Sequence, residues 1–404
     1  ELTIASSIAT TDQTPDSVTE VGETELARSK RALVQDSAWA SLAGALHGGV
    51  ILTGFALALG ASPIIIGVLA ATPLIAQASQ LPAIVWVERS GQRRKITLTT
   101  ITLARLIILS LAIVPYLANE RLQITLLVCA QIAISVLGSV GGCSLNSWLH
   151  QLLPQAGLGV FFGQRLFWAT TLACIGSIAA GYLVDHWPYS NEIAAYSLIF
   201  AAGGLAGFVS SWFLAQVVEP PMPAYAAHLP IWSRIRSPFR DDNFRKLLVF
   251  MGAWNVASNL ALPFLPVYLM KQLGFSLSTV TTLWVVSQCA NAMTIYMWGR
   301  LSDRLSNKAV LAVALPIYFA CLLGMVFTSL PGMDAWTLPA LYLVHIVMGA
   351  ASGGIGLAIG NIGLKLAPPG QGTPYRAAIS LSGPAAGGLA TPRGEAPGPR
   401  LALR

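Results

Sequence analysis

WVERSGQRRK, residues 86–95, carries four basic side chains (Arg89, Arg93, Arg94, Lys95) and one acid, Glu88, between two long and almost uncharged apolar runs. Such a concentration stands out because charge is scarce in this chain. Of 404 residues, 10% are charged and 54% are hydrophobic, against roughly 25% charged in an ordinary soluble domain. Too few polar groups remain to hydrate a globule of this length, whereas lipid faces apolar side chains directly. The flanking runs, at about 63–87 and 96–118, each reach the roughly 20 residues that a helix needs to cross a bilayer.

Working outward, similar runs lie at about 37–59, 122–150, 165–184 and 193–217. A polar, proline-bearing stretch at 219–246 follows, and then runs at about 247–270, 277–298, 309–330 and 337–364. All ten are too long for strands, and their abundant Gly and Ala suit close helix contacts in lipid. The expected fold is therefore an all-α integral membrane protein. Counting Lys and Arg in alternate connections gives eighteen on the side of the quoted loop and two, Arg121 and Lys271, on the other. Basic residues are retained on the cytoplasmic side, so the N-terminus is expected to be cytoplasmic. Residues 1–35 are polar without an apolar signal core and read as a disordered cytoplasmic leader. The net charge of +7 does not imply nucleic acid as a partner, since the bases lie in short clusters between spans rather than on one polar face. The five cysteines sit in apolar runs without metal-ligand spacing, so they read as small hydrophobes, and no metal or cofactor site is expected.

Topogenic charge accepts any basic loop, yet the order of residues recurs. ERSGQRRK at 88–95 is matched by DRLSNKAV at 303–310, with acid-Arg first and a base five residues after the acid, Arg93 or Lys308. The copies are 215 residues apart, each after the second span of its half, as in a transporter built from parallel repeats. These loops resemble the signature of the major facilitator superfamily, Gly-x-x-x-Asp-Arg-x-Gly-Arg-Arg/Lys. The second copy supplies Gly299, Asp303, Arg304 and Lys308. The first supplies Glu88, Arg89, Gly91, Arg93 and Arg94, with Ile84 where the family has Gly.

The resemblance, over about residues 36–390, implies a pair of six-helix bundles. An N-terminal bundle at 36–218, a cytoplasmic loop at 219–246 and a C-terminal bundle at 247–390 are expected, followed by a polar tail at 391–404. It implies a monomer in the cell (inner or plasma) membrane that moves a small-molecule organic substrate by alternating access, coupled to protons. It also implies that the loop acids latch the halves, with Glu88 approaching the start of an eleventh helix near Arg376. Asp303 is expected to approach the start of the fifth, near Gln164 and Arg165. The family builds its cavity from the first, fourth, seventh and tenth helices, which here carry His47, Asn146, Trp148, Trp254, Asn255, Asn259, His345 and Asn361.

Arg105 lies near the middle of its run, about 14 Å from either end at ~1.5 Å per residue. It should face the bundle or a wet cavity rather than lipid. Asp36 and Asp185 read as span ends, which leaves His47 and His345 as the titratable candidates for proton coupling. The eleventh run, AAISLSGPAAGGLA, is short, and the tail TPRGEAPGPRLALR cannot cross a bilayer. A truncated or altered last helix or two is therefore expected, and with it a rival reading as a non-transporting or degenerate member of the family. No GxxxxGK[ST], HExxH or GxSxG motif occurs, so nothing points to an enzyme.

Overall fold

The computed structural model describes residues 22–117, 119–153, 158–191, 193–220, 241–329 and 334–366. Among the described residues, ten long helices or helix pairs follow one another. In the first half, α1 is Glu23–His47 continued by Gly49–Ala58, and α2 runs from Pro63–Ala76 through a 3-10 turn into Gln80–Ser90. Next come α3 (Arg93–Ser110, with a 3-10 extension to Tyr116), α4 (Glu120–Leu152), α5 (Leu158–Asp185) and α6 (Ile193–Leu214). The second half has α7 (Asp242–Ala261, then Phe264–Val267 and a π turn), α8 (Leu277–Arg304), α9 (Asn307–Val326) and α10 (Asp334–Leu366). The expected eleventh run, with its GPAAGG, and the tail lie outside the described residues.

Boundaries are set by local chemistry. Ser62 caps α2, with Pro63 as its first residue, and Gly91 ends it in the left-handed region at φ 61°, where a residue without Cβ is unstrained. Asn119, Asp241 and Ser306 accept from the first free N–H groups of α4, α7 and α9, each such cap contributing about 1 kcal/mol. Two expected boundaries are corrected. Residues 23–35 are helical rather than a disordered leader, because Leu26, Ala32 and Leu33 pack against Trp148, Leu149 and Leu214. The central loop ends at the Asp241 cap, not at 246.

Eight of the ten helices combine the length and hydropathy of a span; α7 and α8 do not. In α7, Pro263 and Pro266 interrupt the run. In α8 the polar residues have work inside the bundle: Asn291 bonds Ser352 of α10 at 3.0 Å, and Thr281 and Gln288 line a cavity. The cysteines are not uniformly core residues, since Cys321 is buried while Cys129 and Cys289 are exposed.

Among the described residues, buried apolar side chains form three clusters. One, around Phe55, Ile66, Leu111 and Phe200, also includes Leu269, Leu277, Leu283 and Leu341, so it draws on both halves. The other two each stay within one half, around Trp148 in the first and around Trp298 and Phe244 in the second. The shared cluster occupies the end of the bundle away from the basic loops, here called the far end. The separate clusters lie at the basic end.

Candidate functional site

The repeated loops build equivalent staples. Arg93, the first residue of α3, is fully buried. Its guanidinium donates to Gln151 Oε1 at 2.6 Å and Ser147 O at 3.3 Å in α4, and to Pro220 O at 2.8 Å after α6. Glu219 balances its charge at 3.8 Å. The backbone N–H of Arg94 donates to the same carboxylate at 3.1 Å, and its guanidinium donates to Ala215 O. In the second half the corresponding buried residue is Asn307, first in α9. Its Oδ1 accepts from Ser302 and, at 3.2 Å, from Asn361 of α10. The residue equivalent to Arg93 is thus Asn307 rather than Lys308, which is exposed. The first loop holds one more residue between acid and helix, the stretch containing the left-handed Gly91. Glu88 is half-buried; Arg89, Asp303 and Arg304 are exposed; Gly299 packs loosely near Leu357.

Arg165, expected to meet Asp303, pairs with Asp36 of its own half. The helix that carries it begins seven residues earlier, at Leu158, so this base lies inside the bundle and not in a loop. The other expected latch partner, Arg376, lies outside the described residues.

At the far end the ties cross between halves. Asp185, the last residue of α5, accepts the backbone N–H of Leu277 at 3.0 Å and of Ser278 at 2.7 Å. It therefore caps α8 from across the interface, where a carboxylate meets both unpaired donors and the positive helix end. One turn back, Gly181 lets the helices close: a Cβ there would sit 2.9 Å from Ser278 Cα and 3.2 Å from Leu277 O.

Between α1, α5 and α8 lies a cavity of about 370 Å³, within the ~300–1,000 Å³ usual for small-molecule sites. Small residues make it: Gly44, Gly48 and Gly49 on α1 face Ala169 and Ala173 on α5. Here α1 breaks, with Gly49 at φ 54°, a left-handed conformation open to Gly. A broken helix beside a cavity is how membrane proteins tolerate irregular backbone.

Toward the basic end the same walls become charged. Asp36 of α1, 3% exposed, lies thirteen residues inside the helix and is buried in the bundle. Its Oδ1 accepts from Ser210 of α6 at 2.7 Å, and its Oδ2 lies 3.9 Å from Arg165 Nη2. Arg105 of α3 fills a slot on α6 that Gly207 leaves open and interacts electrostatically with Asp36. The cluster thus holds one carboxylate and two guanidinium groups. The Nε–H of Arg105 and that of Arg165 find no acceptor among the described residues.

None of the expected cavity residues lines this cavity; Asn259 is set aside, its side chain lying outside those described. Trp148 is fully buried at the basic end and donates to Val218 O at 2.9 Å. Asn146 is exposed, Trp254 packs on Tyr318, and Asn255 donates to Met251 O at 2.8 Å. His47 and His345 each donate Nδ1–H to the carbonyl four residues back, Ala43 O at 2.7 Å and Leu341 O at 2.8 Å. Polar residues drew attention in the sequence, whereas the space is made by Gly and Ala. A spacing of small residues at 44, 45, 48 and 49 was the available signal.

Comparison with solved structures finds the same fold over most of the chain. The nucleoside transporter NupG matches with a TM-score of 0.67 at 13% identity, covering 89% of each chain. A bacterial homologue of the human lysosomal transporter Spinster matches with a TM-score of 0.63 at 14% identity, over 92% of this chain and 81% of the other. A D-xylose-proton symporter matches with a TM-score of 0.60 at 14% identity, over 90% and 87%. No curated protein matches the sequence. The family description "Major Facilitator Superfamily" matches residues 38–391. With its duplicated loops, paired helical halves and cavity between helices, this multi-pass membrane protein belongs to the major facilitator superfamily.

Proposed function

We propose that the protein is a monomeric secondary transporter of the cell membrane that carries a small organic solute by alternating access, with Asp36 as its proton-carrying group. With Arg165 placed inside the bundle, the basic residues of the connections divide seventeen to two, which supports a cytoplasmic N-terminus. The end tied by Asp185 is then the one away from the cytoplasm. Among the structural relatives, one is a nucleoside transporter and one a D-xylose-proton symporter, which favours a small organic solute and proton coupling here.

The observation that carries the reading is the placement of Asp36. An ionisable group inside a membrane bundle is retained for function by default. This one sits between two arginines, on the helix whose break opens the cavity. It replaces His47 and His345 as the coupling candidate, because each of those rings is engaged with its own helix backbone. Adding a proton to Asp36 removes its hold on Arg165 of α5 and changes the balance between helices. Such a differential contact is what a ligand-driven shift between two states requires.

Proteoliposomes loaded with a pH-sensitive dye test this reading against a panel of nucleosides, sugars and carboxylates. At least one solute should move protons with it, and Asp36→Asn should lower that proton movement at least tenfold while solute exchange continues. Undiminished proton movement in Asp36→Asn, or none with any solute, contradicts the assignment.

A further inference from the structure

We propose that the solute is an organic anion, a small amphipathic carboxylate held by Arg165. The inference rests on reading the cavity as the solute site and adds the charge of what enters it. Three observations support it.

The first is charge. Among the described residues no lining side chain is ionisable as an acid or a base of the Asp, Glu, Lys or Arg type, so the nearby cluster decides the potential. That cluster has two guanidinium groups against one carboxylate, and a surplus positive charge inside a bilayer calls for a counter-anion.

The second is order of approach. Arg165 lies one turn before Ala169, on the wall of α5 that continues through Ala169 and Ala173 along the cavity. Its side chain is 20% exposed, against 5% for Asp36 behind it. Of the two charged groups, the guanidinium is the more accessible.

The third is unmet valence. The approach of Arg165 to Asp36, 3.9 Å, is too long for a hydrogen bond. Its Nε–H, like that of Arg105, has no acceptor among the described residues. A planar guanidinium fits a carboxylate in two parallel bonds, one of which can use this Nε–H. Arg105 remains behind to balance Asp36, so Arg165 is available to turn toward the cavity. Val50, Ile51, Leu166 and Trp284 give the rest of the wall an apolar character, which suits an aromatic or aliphatic body.

Solute and Asp36 then compete for one guanidinium, and a proton on Asp36 favours the solute. The groups facing Asp36 are Arg165 of α5, Arg105 of α3 and Ser210 of α6, with His47 of α1 close to Arg105. Proton and anion are accordingly expected to travel in the same direction.

Binding to purified full-length protein in detergent, read by calorimetry and by thermal shift, tests this without requiring transport. Benzoate, benzamide, benzylamine and phenylphosphonate serve as probes of one size. Benzoate should bind, with benzamide and benzylamine at least tenfold weaker, and affinity should rise as pH falls. Arg165→Gln should reduce benzoate affinity at least tenfold, while Arg165→Lys, which keeps charge and fold, should retain part of it. Equal binding of benzamide, undiminished binding to Arg165→Gln, or no binding of any anion overturns the proposal. Binding of phenylphosphonate alone overturns the carboxylate in favour of a phosphate-bearing solute. A neutral solute that moves protons would sink the anion and leave the transporter standing. Benzoate binding without proton movement would do the reverse.

Discussion

The two ends of this bundle are built from the same helices and behave oppositely. At the far end, one apolar cluster takes side chains from both halves, and Asp185 of α5 caps α8 across the interface. At the basic end, each half closes on itself. Arg93 ties α3 to α4 and to the chain after α6, Asn307 ties α9 to α10, and the clusters around Trp148 and Trp298 stay apart. The lesson is that rigidity and gating are separated in space. The staples hold each half together as a body, and the far-end ties, few and directional, hold one body against the other.

The largest effect should come from filling the closest approach. Gly181→Leu places side-chain atoms against the backbone of Leu277 and Ser278, an overpacking that costs up to about 3 kcal/mol. The far end should open, shifting the balance about 100-fold, as read by labelling of single cysteines near each end. Next is Asp185→Ala, which removes two charge-assisted caps and leaves α8 with Ser276 alone. A loss of about 1–2 kcal/mol should move the same balance roughly tenfold in the same direction. The smallest effect is expected at the basic end. Asn361→Ala removes one bond to Asn307 and about 1 kcal/mol of stability, lowering the melting temperature while leaving the labelling ratio unchanged. If Asn361→Ala shifts the ratio as much as Asp185→Ala, the two ends do not differ as described.

Much of this was legible in the sequence. Charge clustering at 86–95 located the loops, run length located the helices, and the recurrence at 303–310 gave the duplicated plan and the family. The site was less legible, for physical reasons. Asp36 read as a span end because the polar turns before it, with Arg28, Lys30 and Arg31, hide the helical start at Glu23. Arg165 read as a loop base because nothing in its own stretch names its partner, 129 residues away. Trp148 read as a cavity residue because its acceptor, Val218 O, lies 70 residues on. A one-residue difference in turn length made Lys308 look equivalent to Arg93, where the fold places Asn307. The cavity was missed because its polar lining, Ser41, Thr170, Ser177, Thr281 and Gln288, lies on α1, α5 and α8 and includes none of the Asn, His and Trp residues singled out.

Pulsed electron spin resonance on the protein in lipid nanodiscs tests the central claim most directly. One spin-label pair at Gln164 and Arg300 reports the basic end, and another at Tyr189 and Lys271 reports the far end. Comparing the unmodified protein with Gly181→Leu, the far-end distance should lengthen while the basic-end distance shortens in the same molecules. A far end that opens with no change at the basic end, or distances that grow together at both, would contradict a pivot of two rigid halves.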